Sequence, residues 1–220
     1  MARVGDFCID TTEVTNAQYV PFLQAVTANP RMAEQPADVC SWNTDFQVAS
    51  GYPKPADGDP NDPVRGVDWC DAYAFCRWAN KRLCGAVGGG SSPYSNFAQP
   101  TDQWYFACSS NGRYAYTYGA GFDEKACNGD GTGRADASVV NVAQSTRCHP
   151  PASPFASLYD MTGNVLEWED SCESSAVDSD CLTRGGWFKS PEPAALACNK
   201  NGRRKRTASA EGVGIRCCSP

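Results

Sequence analysis

Apolar positions recur at helical spacing in only three stretches of the chain. From Thr15 to Val26, Tyr19, Phe22, Leu23 and Val26 fall on one stripe, and Thr15 stands where an N-cap hydroxyl would serve the first turn. From Asp71 to Arg82, Ala72, Phe75, Cys76 and Ala79 form a second stripe, with basic residues gathered at the C-terminal end. Thr101–Cys108 predicts a shorter helix that starts at Pro100–Thr101. The rest of the chain is turn chemistry and short apolar pieces. Residues 49–62, 85–95 and 173–180 read as irregular loops, the last bracketed by Cys172 and Cys181. No internal repeat and no linker divides the 220 residues. The expected class is α+β: a single loop-rich domain with little regular secondary structure, held by crosslinks and ions.

Composition sharpens this picture. Hydrophobic residues make up 41% of the chain, enough for a packed core rather than a disordered segment. Nineteen basic against 25 acidic residues give a net charge of −6, which speaks against a general nucleic-acid binder. No run of 18 apolar residues is present, so no membrane-spanning helix is expected. Thirteen cysteines with no CxxC pair, and His149 as the sole histidine, read as disulfides rather than zinc ligands. Disulfides imply an oxidising compartment, extracellular or periplasmic. The first residues, Met1 to Asp6, carry no apolar segment of a secretory leader, so Met1 is expected to begin a mature or truncated form. The odd count leaves one cysteine over. Because a bridge between neighbours is strained, only one of Cys217 and Cys218 is expected to be bonded.

Six segments, taken in order, resemble one family. They are Cys8–Tyr19 (CIDTTEVTNAQY), Pro63–Leu83 (PVRGVDWCDAYAFCRWANKRL), Pro100–Cys108 (PTDQWYFAC), Tyr159–Trp168 (YDMTGNVLEW), Arg184–Phe188 (RGGWF) and Gly214–Cys217 (GIRC). Together they are similar to the formylglycine-generating enzymes, or sulfatase-modifying factors, over about residues 6–217. The resemblance implies that family's variant of the C-type-lectin-like fold across residues 1–220.

Active members of that family are copper-dependent oxidases whose two cysteines, lying between the Gly-Gly motif and the terminal GFRC-like motif, bind Cu(I) and convert a substrate cysteine. Here the interval after Gly185-Gly186 has no cysteine before Cys198. Counted forward, the first catalytic position falls near Ser190; counted back from Cys217, the two fall near Phe188 and Pro193. Copper is therefore not expected. A branch with iron chemistry needs a histidine-rich site that one histidine cannot build.

The resemblance implies calcium. The ligands would be the Asp160 side chain, the Gly163 and Val165 carbonyls and the Glu167 side chain, oxygen donors of the kind calcium prefers. A second site would use Asn128 and the Gly129 carbonyl, with Asp130 and Asp136 nearby. A plain turn is the competing reading for both. The resemblance also implies Cys76–Cys217 and Cys108–Cys198 bridges. Proximity along the chain adds Cys172–Cys181, Cys127–Cys148, Cys70–Cys84 and Cys8–Cys40, leaving Cys218 alone.

Three further features complete the reading. Arg184, Trp187, Phe188, Lys189 and Ser190 would line a groove for a protein or glycan partner. The basic run Lys200–Arg206 is either a solvated face or a contact for an anionic partner. Most of the tryptophans lie inside the family motifs and are expected in the core. The expected function is a secreted, disulfide- and calcium-stabilised binding or structural domain. The alternatives are a copper oxidase using other cysteines, Cys217 and Cys218 among them, and a subunit of a larger extracellular assembly.

Overall fold

The computed structural model describes residues 1–95, 98–129 and 138–220. The chain opens with a hairpin, β1 (Ala2–Val4) and β2 (Phe7–Ile9), and enters helix α1 (Asn16–Ala28). Thr15 caps α1 in a capping box: its hydroxyl accepts from the Gln18 N–H while the Gln18 side chain accepts from the Thr15 N–H. A single turn, α2 (Ala37–Cys40), precedes α3 (Trp69–Trp78). The third helix starts two residues before the hydrophobic stripe suggested, because Asp68 accepts from the Asp71 N–H as N-cap. It keeps Arg77 in its last turn but ends before Lys81 and Arg82, since Asn80 turns left-handed at φ 59° and Arg82–Leu83 become strand β3. Helix α4 (Gln103–Cys108) is capped by Asp102 rather than begun at Thr101. Strands β4 (Leu166–Cys172), β5 (Asp180–Arg184), β6 (Asn201–Lys205), β7 (Val213–Gly214) and β8 (Cys217–Ser219) complete the chain.

Among the described residues two four-stranded sheets result, ordered β1-β2-β8-β3 and β6-β5-β4-β7. The last strand lies beside the first hairpin, with Ile9 opposite Cys218, so both chain ends share one sheet. One hydrophobic core lies between α1, α3 and the second sheet. Tyr19 and Phe22 meet the Phe75 ring at 5.4 and 5.7 Å there, and Trp168 is fully buried. A second core gathers Phe7, Ile9, Trp104, Leu158 and Met161.

Twelve of the thirteen cysteines form six disulfides. Cys76–Cys217, Cys108–Cys198, Cys127–Cys148 and Cys172–Cys181 pair as expected. Two expected pairs, Cys70–Cys84 and Cys8–Cys40, are replaced by Cys40–Cys70 and Cys84–Cys218, and the free thiol is Cys8, not Cys218. The reason lies in β8. Neighbouring residues of a strand point to opposite faces. Cys217 therefore enters the first core, towards α3, and Cys218 enters the second, towards Cys84. Both neighbours are bonded, each to a different partner, and no strained vicinal bridge is needed. Cys40, at the end of α2, meets Cys70 in the first turn of α3.

Candidate functional site

The segment after β5 is where the family resemblance locates chemistry. Gly185 and Gly186 both hold positive φ, at 90° and 72°, and turn the chain sharply out of the strand. Gly186 is also packed too closely for a side chain: a Cβ there would meet Leu196 and the Ala195 carbonyl within 2.8 Å. The next four residues fold on themselves, with the Ser190 hydroxyl accepting from the Trp187 N–H at 3.0 Å and the Ser190 N–H donating to the Trp187 carbonyl at 2.9 Å. Glu211 clamps this turn from outside, holding Lys189 at 3.0 Å and Arg65 at 3.7 Å.

The expected groove is filled in. Phe188 and Ser190 are buried, as is Arg184, whose guanidinium lies 4.9 Å over the Trp104 ring and donates to the Cys198 carbonyl at 3.0 Å. Arg184 also faces the buried Glu169 at 3.8 Å. Of the residues named for a partner surface, only Lys189 is exposed and Trp187 partly so. Phe188, Ser190 and Pro193, the positions onto which the family's catalytic cysteines count, hold no thiol, and Cys198 is bonded to Cys108.

A second constellation lies beneath this turn. Gly163, at φ 84°, presents its α-carbon to the Asn128 carbonyl so closely that no Cβ could fit. The two segments read as separate calcium sites are thus brought together. Asn164 is the hub. Its N–H donates to the Asn128 carbonyl at 2.7 Å, its amide oxygen accepts from the Asn128 side chain at 3.0 Å, and its amide nitrogen donates to Glu13 at 2.8 Å. Glu13 also accepts from the Val165 N–H at 3.1 Å. Glu167 accepts from Trp104 at 2.7 Å and from the fully buried Arg216 at 2.9 Å. Arg216 in turn donates to the Asp10 and Tyr159 carbonyls. Asp160 accepts from the Ala143 N–H at 2.6 Å through one oxygen, and its other oxygen is buried with no partner among the described residues.

This arrangement does not fit calcium at Glu167. Both carboxylate oxygens already accept from Arg216, and that guanidinium supplies the positive charge a metal would bring to Glu13, Asp160 and Glu167. Among the described residues, no group of three or more His, Cys, Asp or Glu is arranged to hold a metal. Asp130 and Asp136 lie outside the described residues. Burial raises Glu13 well above the usual carboxylate range, and the Asp160 and Glu167 charges push it further, against the pull of Arg216 and Asn164. Burial likewise lifts Asp160 to about 6. Glu13, Asn164 and Arg216 all sit inside the motifs that carried the resemblance, yet nothing in their spacing said that they meet.

The family description "Sulfatase-modifying factor enzyme 1-like domain" matches residues 1–219. A serine/threonine-protein kinase Pkn1 of Chlamydia trachomatis is 27% identical over 96% of this chain, and this chain spans about a third (33%) of that relative's length. The bovine "Inactive C-alpha-formylglycine-generating enzyme 2" is 29% identical over 71% of this chain and 50% of its own. A formylglycine-generating enzyme of Mycobacterium tuberculosis is 29% identical over 75% and 63%. Among solved structures, CarF superposes with a TM-score of 0.65 at 21% identity, covering 97% of this chain and 86% of its own. PvdO from Pseudomonas aeruginosa gives 0.63 at 17% identity, covering 96% and 79%.

Proposed function

Because the chain belongs to the sulfatase-modifying factor enzyme 1-like family, we propose that it keeps that family's scaffold as a non-catalytic domain, in an extracellular or periplasmic setting, where it binds a partner. The observation that carries this reading is the fate of the cysteines. None lies between Gly186 and Cys198, and Cys198, Cys217 and Cys218 are each committed to a different disulfide. Two-thiolate Cu(I) chemistry requires a pair of reduced thiols at bonding distance from one metal. The remaining thiol, Cys8, is alone. A likeness to relatives named as inactive formylglycine-generating enzymes supports the same reading. Six disulfides favour an oxidising compartment.

The test is direct. The native protein is supplied with Cu(I), oxygen and a peptide carrying a sulfatase-type cysteine motif. The expected result is no oxygen uptake and no formylglycine in the peptide mass spectrum. Catalytic turnover of the peptide would overturn the proposal.

A further inference from the structure

Strand β6 ends its sheet: β5 lies on one side, and among the described residues no strand lies on the other. It pairs with β5 in unbroken register over all five residues, from Asn201 opposite Arg184 to Lys205 opposite Asp180. No proline or bulge interrupts it. The hydrogen-bond phase can be read at its end. The Arg206 N–H donates to the Ser179 carbonyl across the ladder at 2.8 Å. Main-chain groups alternate in direction along an antiparallel strand. Arg204 and Gly202 therefore face β5, while Asn201, Arg203 and Lys205 turn their main-chain groups outward. The Lys205 carbonyl is taken by the Ala208 N–H at 2.9 Å. The Arg203 N–H and carbonyl and the Lys205 N–H point to the open side, and both residues are exposed.

This edge is also the most basic stretch of an acidic chain. Residues 200–206 hold five cations and no acid, whereas the rest of the chain holds fourteen basic against 25 acidic residues. Arg203 stands 5.1 Å over the Tyr94 ring, and Lys205 reaches Asp180 at 3.3 Å across the ladder. A second copy docking edge to edge would set Arg203 and Arg204 against cations of the same run, which is unfavourable. An acidic strand would meet the opposite sign. Basic residues on an edge also deter neutral and basic strands from pairing there, and that selectivity favours the same occupant.

We propose that β6 is a docking edge that takes an extended, acidic segment of a partner protein as one more strand of the sheet. Main-chain bonds to Arg203 and Lys205 would supply the affinity and the cations the choice of sequence. The proposal goes beyond the non-catalytic reading and would stand even if oxidase turnover were found.

The probe is a fluorescein-labelled heptapeptide alternating Val and Glu, titrated against the whole protein by anisotropy. Binding is expected. A Val–Lys peptide should not bind, and a fully N-methylated Val–Glu peptide should bind at least about tenfold more weakly, as loss of main-chain hydrogen bonds implies. Arg203→Pro removes the outward N–H without touching a β5–β6 bond, and should weaken binding about as much. Arg203→Glu, which keeps the strand, should weaken it through charge. No binding, or equal binding of the N-methylated peptide, would overturn the proposal: the first leaves a guarded edge, the second a charge contact without strand addition. A dimeric native mass that Arg203→Pro dissolves would overturn it in favour of a second copy.

Discussion

Asp68 shows how much one side chain can settle. Its carboxylate accepts from the Asp71 N–H at 2.9 Å and starts α3, while the Asp71 side chain returns a bond to the Asp68 N–H at 3.1 Å. Caps of this kind are written locally, so the Thr15 cap was legible from sequence; the Asp68 cap was missed only because the apolar stripe starts later. Burial raises Asp68 to about 6 and Asp71 well above its ordinary value, Asp71 also by the Asp68 charge. A carboxyl whose folded value lies above its unfolded one binds more protons when folded. Its contribution is therefore complete below about pH 4 and is lost as pH rises through about 6. Thermal melts should show stability falling across that window. Asp68→Asn, which keeps a capping oxygen, should flatten the fall, whereas Asp68→Ala should cost about 1 kcal/mol besides. An unchanged slope in the Asn variant would contradict the assignment. Arg216 is the opposite case. It sits 49 positions from Glu167 and 206 from Asp10 in the chain, and no sequence spacing announces those meetings. Arg216→Met should cost about 3–5 kcal/mol in denaturant unfolding, because Glu167 would be left buried without its cation. Adding Glu167→Gln should recover part of that loss.

At the scale of elements, the three apolar stripes became three helices whose ends lie within two residues of the stripe, except that α3 stops at Trp78, four residues before Arg82. The strands were invisible for a physical reason. Five of the eight strands among the described residues are only two or three residues long, too short for a period of two to register, and β4 is buried along almost its whole length, so it shows no alternation. The disulfides divide in the same way. Bridges within one loop could be read from proximity, while the two that bind β8 depend on which face each cysteine takes. The turn 187–190 was read as a surface and is instead a plug. Phe188, with 1% of its surface exposed, donates its N–H to the Asn164 carbonyl and ties the plug to the hub beneath. Phe188→Ala should therefore destabilise the fold by about 3–5 kcal/mol, as large-to-small core changes do. A loss confined to partner binding, with stability intact, would restore the groove reading.

For the molecule as a whole, the family's scaffold persists, with Phe188 and Ser190 packed inward after Gly186 and Arg216 set among buried carboxylates. The α+β, loop-rich architecture of the formylglycine-generating enzymes, a variant of the C-type-lectin-like fold, was legible in sequence because six motifs occur in order. What could not be read was how buried polar groups complete each other across more than a hundred residues. Arg216 stands among Glu13, Asp160 and Glu167 as their cation, so chelation with EDTA should leave the melting temperature unchanged in calorimetry. A drop restored by calcium would show that the acidic cluster needs a metal after all. The non-catalytic reading rests on the disulfide pattern. Peptide mass spectrometry of native, alkylated, unreduced protein tests it most directly. The expected result is the Cys40–Cys70, Cys76–Cys217, Cys84–Cys218, Cys108–Cys198, Cys127–Cys148 and Cys172–Cys181 bridges, with label on Cys8 alone. Label on two neighbouring cysteines, Cys217 and Cys218 above all, would contradict it and return the oxidase to consideration.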